Sequence, residues 1–317
     1  MKYRRCGRSG VLLPEISLGL WHNFGGWDDR ARNAAIIGRA LELGICHFDL
    51  ADNYGPPPGS AEERFGGLLK QEFAGHRDEM FIATKAGHLM WPGPYGDWGS
   101  RKHLISGLDQ SLRRMQLDYV DVFYHHRPDP ETPIEETVEA LVQIVRSGKA
   151  LYIGLSKYPP ALFNRACTLL AEAHVPCLLH QLRYNLLDRA CETGQLPAAK
   201  AQGTGSIVFS PLAQGMLTGK YLNKSSLPAD SRAERSDSIF LDAIKVAADA
   251  DRVASLQAIA TEAGIPLTQL ALRWLLQRNE VTSVLVGART VAQLEECAAA
   301  AEQEPLSDEL MKLINNQ

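Results

Sequence analysis

The chain has 317 residues, a formal net charge of -4 and 45% hydrophobic residues, enough to bury a large core in one α/β barrel. No Lys/Arg block argues for nucleic acid or an anionic membrane surface, and no apolar run approaches the ~20 residues that a membrane helix needs. Met1 to Arg5 leads into polar, Gly-containing sequence without an apolar signal segment. The six cysteines are scattered, without a C-x-x-C pair, and the nine histidines show no H-E-x-x-H spacing. A reduced, soluble, cytoplasmic protein without a metal site is expected.

Tyr3 to Arg5 and Val11 to Pro14 flank Cys6-Gly-Arg-Ser-Gly10, which predicts an amino-terminal hairpin. Ile16 to Gly19 reads as a short strand. Asp28 is a candidate N-cap for an amphipathic helix to Leu43, with Ala31, Ala34, Ile37, Ala40 and Leu41 at helical spacing. Gly44 closes it, and a strand through Phe48 turns polar at Asp49. Tyr54-Gly-Pro-Pro-Pro-Gly59 must be a loop, because its prolines lack backbone donors.

The unit then repeats. Helix 61–72 precedes a strand ending at Lys85, and a helix capped by Ser100 precedes one ending at His125-His126. Helices 134–145, 162–173 and 196–202 precede strands ending at Ser156, Gln181 and Phe209. Helical stretches 253–263 and 267–277 lead to a strand ending at Gly287, and helices 291–301 and 307–314 follow. Eight strand–helix alternations predict a (β/α)8 TIM barrel in one domain, residues 1–317. An open doubly wound sheet is the alternative, but it would carry an early G-x-G-x-x-G, and none is present. The connections 87–100 and 213–250 follow strand carboxyl ends, so both would overhang the active-site face as walls and lid, or as variable surface loops.

A barrel gathers Asp49, Tyr54, Lys85 and His126 on one face. Tyrosine is a weak acid near neutral pH; a lysine ammonium beside it stabilises the phenolate and lowers its pKa. A carboxylate keeps that lysine charged, and a histidine can hydrogen-bond a bound carbonyl. Together they form a proton donor for a developing alkoxide, as reduction of a carbonyl by hydride requires. Singly, each has a structural alternative: helix cap, packing, or solvent contact. Their co-location favours chemistry.

The sequence resembles an aldo-keto reductase over nearly its whole length. The resemblance rests on Gly44-Ile-Cys-His-Phe-Asp49 with Tyr54-Gly, Ile82-Ala-Thr-Lys85, Asp118 to His126, Gly148 to Ser156, Gln181 with Tyr184-Asn185, Ser210 to Gly215, Gly219-Lys-Tyr221, and Val286 to Glu296. Tyr54 to Glu63 and Trp91-Pro-Gly-Pro-Tyr-Gly96 resemble its bacterial branch of L-glyceraldehyde 3-phosphate and methylglyoxal reductases, related to the β subunits of voltage-gated potassium channels. The resemblance implies NADPH-dependent reduction of small aldehydes, with Tyr54 as general acid, Lys85 and Asp49 as its tuning pair, and His126 as orienting group. Strand alternation lets only one of His125 and His126 face the pocket.

The resemblance also implies a cofactor extended across the strand ends. Ser156 and Gln181 would hold the carboxamide, with Asp49, Trp21 and Gly19 near the nicotinamide and Phe209 facing its ring. Ser210, Pro211, Leu212, Ala213, Gln214 and Gly215, with Lys220, would embrace the pyrophosphate. Gly287, Arg289, Gln293 and Glu296 would surround the adenosine. Arg289, at the start of a helix, is a candidate for the 2′-phosphate, and Arg232 is a second.

Trp21 and Trp91, with Tyr54 and His126, are candidate substrate contacts, and Trp98 could also line the mouth. Arg127 either attracts an anionic aldehyde or sits in a structural ion pair. Lys157 departs from the usual residue after the strand serine. Two rivals remain open: an aldolase-type barrel with Lys85 as Schiff-base nucleophile, and a cofactor-sensing interaction protein with incidental turnover. The oligomeric state, including a homo-oligomer built through the barrel helices, is not legible.

Overall fold

The computed structural model describes residues 1–222, 233, 241 and 243–317. β1 (Tyr3–Arg5) and β2 (Leu12–Pro14) pair antiparallel. β3 (Ile16–Gly19), β4 (His47–Asp49), β5 (Phe81–Ala86), β6 (Val120–His125), β7 (Ala150–Ser156), β8 (Cys177–Arg183), β9 (Gly205–Phe209) and β10 (Val281–Val286) form a closed parallel barrel, with β10 returning to β3. Helices α1 (Arg30–Glu42), α2 (Ser60–Glu72), α3 (Arg101–Met115), α4 (Ile134–Arg146), α5 (Pro160–Glu172), α6 (Gln195–Gln202), α7 (Ala243–Glu262), α8 (Leu267–Leu276), α9 (Val291–Ala299) and α10 (Asp308–Asn315) complete the described elements. This is the (β/α)8 TIM barrel with an amino-terminal hairpin that the alternation predicts.

Two helix starts differ from expectation. Asp29, not Asp28, caps α1, accepting from the Arg32 N–H at 3.0 Å. Asp28 instead accepts from the Gly25 N–H at 2.8 Å, bracing the loop before the helix. Helix α7 begins well before Val253, because its first turns bury only Val246 and so show no apolar stripe in sequence. The connection expected over 213–250 is accordingly shortened by α7, and it opens with a 3₁₀ turn at Ala213–Thr218.

Strand alternation partitions the side chains. Ala83, Val122, Tyr124, Leu179, Ile207 and Leu285 fill the barrel, and Cys6 and Leu13 join them from the hairpin. Phe48, Ile82, Phe123, Ile153, Leu155 and Val208 instead pack in the core between strands and helices. The hairpin closes the amino-terminal end: the Arg8 N–H donates to Gly203 O just before β9 at 2.9 Å, and Arg4 Nη1 to Val281 O at 2.9 Å. Tyr124 lies across Gly154 of β7, where any side chain would collide with its ring. One step further along the same inward rows stand Lys85 after Ala83, Ser156 after Gly154, and Gln181 after Leu179. Period two thus delivers these groups to the carboxyl mouth.

Candidate active site

Lys85 is fully buried, and its ammonium uses all three donors. Nζ donates to Asp49 Oδ2 at 2.6 Å, to Leu50 O at 2.7 Å and to the Tyr54 hydroxyl at 3.2 Å. Burial pulls the Lys85 pKa down, but Asp49 and Tyr54 outweigh it and leave the ammonium above its ordinary value. The other Asp49 oxygen, Oδ1, accepts from Gln181 Nε2 at 2.9 Å. Asp49 is therefore satisfied on both sides.

Tyr54 is fixed by its own backbone. Its carbonyl accepts from the N–H groups of Gly59 at 3.0 Å and Ala61 at 3.3 Å, and its N–H donates to Ala51 O at 3.0 Å. The proline loop between is tied to the α1 side by Gly26 N–H donating to Pro56 O at 3.0 Å. Lys85 pulls the Tyr54 pKa down, as the sequence reading expects, but it is not the largest influence. Burial raises it and outweighs the downward pull of Lys85, so the phenol stays protonated.

His126 continues the inward row of Val122 and Tyr124. Its ring meets Tyr54 edge-on, centroids 5.9 Å apart. Burial, with Lys85, Lys157 and His88 around it, holds its pKa well below the usual range, so the imidazole is neutral. His125 points the other way, its Nδ1 2.6 Å from the Tyr158 hydroxyl. The alternation expected between the two histidines is what the structure has. Trp21 lies 6.1 Å from Tyr54, centroid to centroid.

Sequence reading missed His88. Its ring stands perpendicular to His126 at 4.5 Å. Gly87 brings it there, with a φ of 137 that residues with a side chain rarely adopt and with the His125 ring 3.1 Å from where a Cβ would sit. The only sequence signal was a Gly-His pair directly after the strand carrying Lys85. Arg127 proves structural: it pairs with Asp97 Oδ1 at 2.7 Å, donates from Nε to Gly87 O at 2.8 Å, and lies 3.7 Å over the Trp98 ring. Trp91 packs on His103, centroids 5.0 Å apart.

Around this cluster, Ser156 is buried with its Oγ lacking a partner among the described residues, and Gln181 is buried beside it in register on β8. Gly19 pairs in register with Asp49, and Phe209 with Arg183. After β9 the backbone turns left-handed at Ser210 (φ 56), Ala213 (φ 46), Gln214 (φ 60) and Gly215 (φ 95). Non-glycine residues in this region cost energy and cluster at functional sites. Pro211 and Leu212 complete that turn, and Lys220 is exposed beyond it. Thr290 caps α9, accepting from the Gln293 N–H at 3.2 Å, while Gln293 Oε1 accepts from the Arg289 N–H at 2.9 Å. Gly287, Arg289, Gln293 and Glu296 are all exposed on that rim. Arg232 lies outside the described residues.

A phenol kept protonated beside a charged lysine, at the mouth of a parallel barrel, can give a proton to the oxygen of a bound carbonyl. The family model described as aldo/keto reductase matches residues 15–316, and the chain belongs to that family. It is 52% identical over 300 residues to an L-glyceraldehyde 3-phosphate reductase of Escherichia coli (strain K12), covering 93% of this chain and 86% of the relative. Its identity to the protein of that name in Escherichia coli O157:H7 is 50% over 319 residues, 99% of this chain and 92% of the relative. A probable voltage-gated potassium channel subunit beta of Arabidopsis thaliana is 37% identical over 311 residues, 96% of this chain and 93% of the relative. No helix among the described residues is long and apolar enough to cross a membrane.

Proposed function

We propose that this protein reduces small aldehydes to alcohols in the cytoplasm with NADPH, taking L-glyceraldehyde 3-phosphate, methylglyoxal or a close analogue. The observation that carries the reading is the Lys85 contact to Tyr54 and Asp49 together. NADPH held by Ser156, Gln181 and the turn after β9 would supply hydride chemistry at the carbonyl carbon. His126 donates a hydrogen bond that orients the carbonyl oxygen, and the Tyr54 hydroxyl releases its proton to that oxygen as charge develops. The phenolate left behind is stabilised by the Lys85 ammonium, which Asp49 keeps charged and Gln181 helps to anchor.

The residues fit the cofactor. The unpartnered Ser156 Oγ and buried Gln181 suit the nicotinamide amide, with Gly19, Trp21 and Phe209 about the ring. The left-handed turn Ser210–Gly215 with Lys220 suits the pyrophosphate, and Arg289, Gln293 and Glu296 suit the adenosine end. Similarity to proteins named L-glyceraldehyde 3-phosphate reductase supports the substrate class.

The direct test is Tyr54→Phe. Turnover of methylglyoxal should fall at least ~10²-fold, in line with the loss of a general acid, while NADPH still binds. Parental turnover in that variant would end the assignment. An aldolase mechanism would need a neutral lysine, against the raised Lys85 pKa. Similarity to a channel subunit keeps a cofactor-sensing role as the second reading; very slow turnover with retained nucleotide would favour it.

A further inference from the structure

Two of the described cations beside the catalytic group have partners. Lys85 has Asp49, and Arg127 has Asp97. Lys157, the first residue after β7, has none: among the described residues no carboxylate pairs with its ammonium and no hydrogen bond engages it, only its backbone N–H donating to Gln181 O at 3.0 Å. It is half-buried nonetheless, in a left-handed conformation with φ 62. Burial first, then Lys85 and Arg127, press its pKa down to about 8. Lys157 in turn helps to depress both His126 and His88. It also lines a cavity of about 360 Å³ with Pro159, Pro160, Ala190, Thr193, Gly194 and Gln195, a lining without a single carboxylate.

A half-buried ammonium surrounded by other cations is costly unless an anion joins it. Its position separates two sources for that anion. The turn fitted for cofactor phosphates follows β9 and Arg289 follows β10, whereas Lys157 stands after β7, beside the β6 and β5 loops that carry His126 and His88. The structure assigns Lys157 as the specificity-determining residue that binds the anionic end, a phosphate, of the aldehyde substrate. This rests on the reductase reading of the same site and adds to it the group that selects phosphorylated over neutral aldehydes.

The test compares glyceraldehyde 3-phosphate with glyceraldehyde, identical but for the phosphate, in the parent, Lys157→Met and Lys157→Arg, all saturated with NADPH. Lys157→Met should lower the ratio of kcat/KM for the phosphorylated over the neutral aldehyde at least ~10-fold, through KM rather than kcat, and Lys157→Arg should restore most of it. An unchanged ratio overturns the assignment. So does a loss of NADPH affinity by the same factor, which would give the anion to the cofactor. Calorimetric titration of the NADP-saturated parent with inorganic phosphate reads the site without turnover, and equal binding by Lys157→Met also refutes it. A parent that binds phosphate through Lys157 but reduces neither aldehyde would sink the reductase reading while leaving this site standing.

Discussion

Gln181 Nε2 and Asp49 Oδ1 meet at 2.9 Å although β8 and β4 lie on opposite sides of the barrel, four strands apart in either direction. The bond closes a chain from Gln181 through Asp49 and Lys85 to Tyr54. Asp49→Asn would leave the Lys85 ammonium buried without a counter-charge. Breaking a buried pair on one side costs about 3–5 kcal/mol, so a clear fall in Tm is expected, together with loss of turnover. Adding Lys85→Met should recover stability but not activity. A double variant no more stable than Asp49→Asn alone would contradict this account.

Buried histidines make the fold sensitive to acid. Burial lowers the pKa of His47 to about 4 and those of His125 and His180 to about 3, below the unfolded value near 6.5. The unfolded chain therefore takes up protons that the fold refuses, and stability falls as pH drops below about 6.5. Each such group withdraws up to about 2 kcal/mol by pH 5. Unfolding followed by near-UV circular dichroism should begin above pH 4; an intact signal at pH 4 would be incompatible with this.

Asp52 works in the opposite sense. It is fully buried, and neither carboxyl oxygen has a hydrogen-bond partner among the described residues. Burial, then the nearby Glu62, raises its pKa well above the ordinary carboxylate value despite Arg114. For an acid raised in this way, stability is lost as pH rises from about 4 through the folded value. Asp52→Asn removes that loss and should raise Tm at pH 7.5, at about 2–4 °C per kcal/mol gained, with the gain vanishing near pH 4. A variant less stable than the parent at pH 7.5 would show that the carboxyl is needed.

Arg289 is exposed at the start of α9, so its removal should leave the fold intact. On the proposed pose, Arg289→Ala raises KM for NADPH about 10-fold, the worth of one charge-assisted phosphate contact, and changes KM for NADH little. Equal effects on both cofactors, or on neither, would place the 2′-phosphate elsewhere.

The sequence made the barrel and the inner face of its mouth legible: strand periodicity lets only one of His125 and His126 look inward, and the family resemblance picks His126, while His125 looks out to Tyr158. It did not reveal the Tyr54 pKa, since burial of the phenol depends on Trp21 and His126 arriving from other strands. Nor did it reveal His88, whose placement turns on one backbone angle at Gly87. The fate of Arg127 depended on Asp97 and Trp98, thirty residues away in the loop. The early turns of α7 bury too little for an apolar stripe to announce them.

Asp49, Tyr54, Lys85 and His126 all hang from three adjacent strands, β4, β5 and β6. In a machine, positional error accumulates with each joint between two parts. Only two seams, β4 to β5 and β5 to β6, separate the members of this group, so drift elsewhere in the wall reaches them little. The far wall is four seams away, where slack would be greatest, and there a direct tie-rod from Gln181 to Asp49 crosses the mouth and takes it up.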